Sequence, residues 1–174
     1  MRILITGSSG YIGSHLTYLL RDDHEVHGLD IVDPVIEPSV FIKKNIRYID
    51  YWDTYYDAVI HLAALVNVSE SVKIPTQYYK TNVLGTINVS DIPTHNFIFA
   101  STGAAEYAES PYAISKRMCE DIIKEKRNDY TIFRFYNVIG KTVADPTNTD
   151  GLMYNLMKAT KTRSEEHTSE LQSL

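Results

Sequence analysis

"RILITGSSGYIGSHL", residues 2–16, decides the fold. Arg2 to Thr6 is a short apolar run stopped by glycine, which reads as a buried strand. Gly7, Gly10 and Gly13 follow at intervals of three, and Ile12, Leu16, Leu19 and Leu20 then recur with helical spacing. A strand, a glycine turn and a helix in that order suit a phosphate group. The first glycine permits a tight turn, the next lets the backbone approach a pyrophosphate, and the last lets helix and strand pack closely. Free N–H groups at the positive helix end then face the phosphates. Tyr11 and Ile12, inside the run, count with the three glycines as expected cofactor contacts. The alternative is a glycine turn with no ligand. Asp30 argues for the ligand: it closes the next apolar run, "EVHGLD", where a carboxylate accepts bonds from ribose hydroxyls and repels a 2′-phosphate. The expected cofactor is therefore NAD rather than NADP.

Working outward, apolar runs alternate with helical patterns. After the strands ending at Thr6 and Asp30, "NIRYID" reads as the third and "DAVIHLAA" as the fourth. "NFIFAS" and "YTIFRFYN" read as the fifth and sixth. "AVIHL" and "FIFA" are apolar without alternation, as in parallel strands covered on both faces. Helical stretches are expected from Tyr11 to Asp23, Pro75 to Val89 and Pro111 to Lys126. The order predicts an α/β fold, a doubly wound parallel sheet of the Rossmann-like, NAD-binding kind. Two links are short: "WDTYY" before the fourth strand and "SDIPTH" before the fifth. A parallel crossover usually needs about ten or more residues, so some crossover helices are expected to be shortened or missing.

Composition narrows the class. A chain of 174 residues with 44% hydrophobic and 22% charged residues can bury a real core. A net charge of −5 and the lack of a basic block argue against nucleic acid as the main partner. The single cysteine, Cys119, excludes a disulfide framework and reads as a small core residue in a reducing, cytoplasmic setting. The N-terminal apolar run is too short for a signal peptide or a membrane span. His61 reads as a structural strand-end histidine, and nothing beside it suggests a metal site.

"SPYAISKRMCED", Ser110 to Asp121, carries the chemistry. Tyr112 and Lys116 stand four apart at the start of a helix and so share a face. A phenol beside an ammonium has a lowered pKa, which suits a base working near neutrality. By itself the pair also fits two ordinary surface residues of an amphipathic helix.

Together these motifs resemble the extended short-chain dehydrogenase/reductases, and within them the UDP-glucose 4-epimerase family. The resemblance rests on "GSSGYIGSH", "AVIHLAALVNVSESV", "YYKTNVLGT", "NFIFASTGA", "SPYAISK", "FRFYNVIG" and "DPTNTDGLMYNLM", which occur in the family's order from Met1 to about Lys161. It implies that Tyr112 is the base on the sugar 4-hydroxyl, that Lys116 holds the nicotinamide ribose and keeps the phenol acidic, and that Thr102 bonds the same hydroxyl. Asp50 and Tyr51 resemble the pair beside the adenine. Leu62, Ala63 and Ala64 match the backbone passing the pyrophosphate and ribose, although for the two alanines plain packing is an equal reading. Asn82 matches an asparagine supporting the cofactor loops, and Tyr136 the aromatic beside the nicotinamide. Asn137 and Asn155 resemble the asparagines holding the phosphates and uracil of a UDP-sugar.

The implied reaction is NAD-dependent interconversion of UDP-glucose and UDP-galactose, by C4 oxidation, rotation of the 4-keto sugar and re-reduction. A family-type homodimer is expected of a full-length protein. The chain departs from the pattern at Val66, where many of these epimerases carry lysine, and in a shortened loop between Thr102 and Tyr112. A nucleotide-sugar 4,6-dehydratase would follow the threonine with an Asp–Glu pair; Gly103 and Ala104 stand there instead. A non-catalytic NAD-binding protein would lack the Tyr/Lys pair. Residues 1–161 are expected to form the NAD-binding domain with the beginning of the substrate region, most of which is missing, so the fragment itself is expected to be inactive. Residues 162–174, polar and adapter-like, are expected to be a non-native or disordered tail.

Overall fold

The computed structural model describes residues 1–138. Asn155, the helix-like "GLMYNLMKAT" and the tail lie outside them, as does the expected boundary at residue 161. Six strands form one parallel sheet: β1 (Arg2–Thr6), β2 (Glu25–Asp30), β3 (Val40–Lys43), β4 (Tyr56–His61), β5 (Thr94–Thr102) and β6 (Tyr130–Phe135). Their order is β3-β2-β1-β4-β5-β6. The chain thus leaves β1 toward one edge and returns past it toward the other, and the switch point lies between β1 and β4. Open α/β sheets bind ligands beyond the carboxyl ends of the strands at such a point.

Helix α1 (Tyr11–Leu20) covers one face over β1 and β2. Ile3, Ile5 and Val26 bury there against Leu16 and Leu20. The opposite face carries α2 (Val68–Lys73), α3 (Pro75–Tyr78), α4 (Gly85–Ser90) and α5 (Pro111–Lys126). A π-helical turn, Tyr79–Leu84, joins α3 to α4, so the helical stretch expected after Pro75 forms with one widened turn. The main core lies under these helices and includes Leu4, Val59, Phe97, Phe99, Cys119 and Ile123. Among the described residues no helix is long and apolar enough to cross a membrane.

One expected strand is corrected. "NIRYID" forms a single 3-10 turn, Ile46–Tyr48, and the third strand lies earlier, at Val40–Lys43, paired with His27 to Asp30 of β2. Val40, Phe41 and Ile42 are the better strand formers. Ile46 instead points into the main core, where its side chain packs on Gly85 of α4. The shortage of chain therefore falls elsewhere: residues 31–39, between β2 and β3, contain no helix, whereas residues 44–55 suffice for the step to β4.

Candidate active site

The carboxyl ends of β1, β2, β4 and β5 border a cleft of about 620 Å³. Gly7 begins it. Its φ of 74° suits glycine, and a Cβ there would lie 2.7 Å from the Ala63 nitrogen, so the turns after β1 and β4 touch through backbone alone. Gly13 has no room either, because a Cβ would run into the Gly7 carbonyl. Gly10 caps α1, and its own N–H donates to the Gly7 carbonyl at 3.1 Å. The N–H groups of the first turn of a helix have no intrahelical acceptors, and Tyr11, Ile12 and Gly13 line the cleft.

Asp30 ends β2 at the next wall. Its carboxylate accepts from the backbone N–H of Ser9 at 3.0 Å, Ile31 at 2.7 Å and Val32 at 3.1 Å. An ionised carboxylate has about four acceptor positions, so one remains for a ligand while the others tie the glycine turn to β2. Lys44, Asn45 and Ile46 continue this wall. Asp50 and Tyr51 do not reach the cleft. They line a separate polar pocket of about 230 Å³ with Trp52, Asn88 and Asp91. The cause is the displaced third strand: the residues that leave its end toward the cleft are Lys44 to Ile46, not the pair after "NIRYI". Only the position of β3 reveals them.

Leu62, Ala63 and Ala64 line the cleft beyond β4, and Val66 also lies on its wall. Asn82, buried in the π-helical turn, holds this segment from behind. Its carbonyl accepts from Leu65 N–H at 2.8 Å, and its amide donates to the Leu65 carbonyl at 3.0 Å and to Ser115 Oγ at 2.9 Å. Ser115 in turn donates to the Tyr112 carbonyl at 2.7 Å. One asparagine thereby joins the loop after β4 to the helix bearing Tyr112.

Thr102, Tyr112, Lys116 and Tyr136 meet in the same cleft. Ser110 starts α5 by accepting from Ala113 N–H, and Pro111 stands in its first turn, which sets Tyr112 near the strand ends. The short loop before it closes through Ala108, at a φ of 51°. Thr102 is the last residue of β5, and its hydroxyl accepts from Ala104 N–H at 3.3 Å and shares the cleft with the Tyr112 phenol. Tyr78 packs edge-on against Tyr112, with centroids 6.5 Å apart. The Lys116 ammonium lies 4.2 Å from the centroid of the Phe99 ring, a cation–π contact. Tyr136 lays its ring on Gly103.

The electrostatics differ from expectation in one respect. Burial pushes the Tyr112 phenol above its ordinary value, and the neighbouring Thr102 hydroxyl only partly offsets this. The lowering expected from the neighbouring lysine is not found: its ammonium lies on the Phe99 ring, and burial of the phenol sets the direction. Burial also draws Lys116 down to about 8, so it keeps its proton at neutral pH. His61 is structural, as expected, bonded to Thr6 Oγ1 at 2.7 Å and Thr86 Oγ1 at 3.0 Å. Asn137 is exposed and does not line the cleft. Among the described residues no cluster of three or more His, Cys, Asp or Glu is placed to hold a metal.

The sequence profile of the NAD dependent epimerase/dehydratase family matches residues 3–171. The UDP-glucose 4-epimerase of Lactobacillus helveticus is 32% identical over 179 residues, covering 80% of this chain and 52% of that protein. The UDP-glucose 4-epimerase of Klebsiella pneumoniae is 39% identical over 133 residues, covering 64% of this chain and 95% of its own sequence. Among solved structures, the UDP-N-acetylglucosamine 4-epimerase of Methanobrevibacter ruminantium, in complex with UDP-N-acetylmuramic acid, superposes with a TM-score of 0.78 at 26% identity, over 92% of this chain and 63% of that one. The chain spans about half to three fifths of the length of most curated relatives it matches.

Proposed function

The chain belongs to the NAD dependent epimerase/dehydratase family, and from that premise we propose that it binds NAD in the cleft and serves the 4-epimerisation of a UDP-sugar, UDP-glucose with UDP-galactose. The observation that carries this reading is the meeting of Thr102, Tyr112 and the buried Lys116 with the glycine turn in one cleft.

The residues present fit the cofactor. The turn at Gly7 and Gly13 leaves backbone where a Cβ would otherwise stand, the free N–H groups of α1 suit a pyrophosphate, and Asp30 keeps an acceptor position for ribose hydroxyls. When bound, NAD supplies the hydride acceptor and a positive ring. The protein supplies the rest. Tyr112 takes the proton of the sugar 4-hydroxyl through its phenol oxygen. Thr102, in the same cleft, would donate to that oxygen and so favour its charged form. Lys116, charged at neutral pH, presents N–H donors to the ribose. Tyr136, lying on Gly103 beyond β6, borders the cleft. Curated relatives named UDP-glucose 4-epimerase support the choice of sugar.

The test is conversion of UDP-galactose to UDP-glucose by the full-length protein carrying this chain. Tyr112→Phe should lower turnover by at least about a hundredfold, the scale of a lost general base, with NAD affinity kept. Near-native turnover in that variant would remove Tyr112 from the role.

A further inference from the structure

We propose that Glu120 is a positioning residue for Lys116: its buried carboxylate, clamped by Arg134 and Ser101, is the fixed counter-charge of the ammonium one helical turn nearer the cleft. This rests on the reading of Lys116 as a cofactor-binding residue.

Glu120 is 1% exposed on the face of α5 turned to the sheet. Ser101 Oγ donates to its Oε1 at 2.6 Å. Arg134 of β6 grips both oxygens, Nε to Oε1 at 2.9 Å and Nη2 to Oε2 at 2.7 Å. Lys124 stands 3.8 Å away on the outer side. Such a cluster is a poor way to gain stability, because desolvating the charges offsets most of their attraction and an apolar pair would join α5 to β6 as well. The placement of the carboxylate suggests another use. Glu120 and Lys116 are four apart on α5, so they are neighbours on one helix face, and both are buried.

The groups around the ammonium make the carboxylate matter. From β5 it meets the Phe99 ring. From β4 the buried imidazole of His61 is held neutral. On α5, burial raises both the Cys119 thiol and the Tyr112 phenol and so favours their neutral forms. Tyr78 of α3 packs on Tyr112, and burial raises it to about 12. Arg134 and Lys124 lie on the Glu120 side. Glu120 is the anion in this set: burial pulls its carboxyl upward, but Arg134 and Ser101 more than offset that and hold it below the usual range. Burial, the force that draws Lys116 down, is opposed by Cys119 and Glu120.

The experiment follows the side-chain carbon signal of Lys116 by NMR through a pH titration of the intact chain with isotope-labelled lysine, assigned by its loss in Lys116→Arg. Glu120→Gln keeps the shape and removes the charge, and should lower the midpoint of Lys116 by about half a pH unit or more. A smaller shift overturns the proposal and leaves Glu120 as a staple between α5 and β6. Should Glu120→Gln fail to fold, Glu120→Asp gives the second arm: a carboxylate drawn back by one methylene should also lower the midpoint, and an unchanged or higher one overturns the proposal. Adding NAD to the wild-type chain separates the two readings. A Lys116 signal indifferent to NAD, with a midpoint that still moves in Glu120→Gln, sinks the cofactor reading and leaves this inference standing.

Discussion

At the scale of single residues, His61 shows how the floor of the cleft is held. Both ring nitrogens are bonded to threonine hydroxyls, and the ring packs on Phe97 and Phe99. Burial, with a smaller push from Lys116, lowers it from 6.5 to about 3. The unfolded chain takes up a proton near the ordinary value and the folded chain does not. The contribution to stability is therefore fully present above about pH 6.5 and is lost as pH falls toward 3, at up to about 1.4 kcal/mol per pH unit. Denaturant melts at pH 7 and pH 5 should show the wild-type chain losing up to about 2 kcal/mol more than His61→Gln, which cannot protonate. Equal losses would place the acid sensitivity elsewhere. Gly13 is a second such position. Gly13→Ala drives a methyl group into the Gly7 carbonyl and should cost about 1–3 kcal/mol, as overpacking does, together with NAD binding. Gly10→Ala, with 3.3 Å to the same oxygen, should cost clearly less. Similar melts for the two variants would show that the turn yields freely.

At the scale of elements, one arginine fastens three of them. Arg127, just after α5, donates to the carbonyls of Ser90 at 2.9 Å, Ile92 at 3.3 Å and Thr94 at 3.1 Å. It also pairs with Asp129 at 2.8 Å and lies over the Phe97 ring. It thereby binds the end of α4 to the start of β5, the short link in which Pro93 ends the helix. Arg127→Ala should destabilise by about 2–4 kcal/mol, because several carbonyls lose their donor together. Arg127→Lys should recover little, since an ammonium cannot span the same acceptors; a full recovery in a chemical melt would count against this account. The sheet has a weaker side. On the α1 face, Ile98 and Ala100 of β5 adjoin Phe133 and Phe135 of β6, and the two stacked phenylalanines are 50% and 38% exposed. Contiguous exposed apolar surface promotes association. Phe133→Thr should reduce light scattering at high protein concentration while leaving the melting temperature nearly unchanged. Undiminished scattering would mean that this face does not drive association.

At the scale of the whole molecule, the cleft is where the two halves of the sheet meet. A ligand seated there touches the ends of β1 and β2 on one side and of β4 and β5 on the other. A ligand at about a hundred times its dissociation constant stabilises the folded state by about 2.7 kcal/mol. For a chain of this size that corresponds to a rise of about 5–10 °C in melting temperature. NAD should produce such a rise. NADP at the same concentration should produce a smaller one, because Asp30 faces its additional phosphate. Equal shifts with the two would remove Asp30 as the discriminating residue.

What the sequence determined by itself was local. The strand, glycine turn and helix at residues 2–16, the acid at Asp30, the threonine closing β5 and the Tyr112–Lys116 pair on one helical face follow from spacing over a few residues, and the glycine turn, Asp30, Thr102, Tyr112 and Lys116 all line the cleft. Cys119 in the core and His61 as a structural residue were legible for the same reason. Tertiary structure decided what depends on partners far along the chain. The apolar runs "VFIK" and "NIRYID" are nearly equivalent as text. Pairing with β2 chose the first, and burial of Ile46 beneath α4 withdrew the second. That single choice carried Asp50 and Tyr51 out of the cleft and brought Lys44 to Ile46 into it. The phenol of Tyr112 moved against the local expectation because burial by other elements, Tyr78 of α3 among them, outweighs the neighbouring Thr102 hydroxyl of β5. Charge on a side chain is set by how much water remains around it, and that is a property of the packed molecule rather than of any stretch of its sequence.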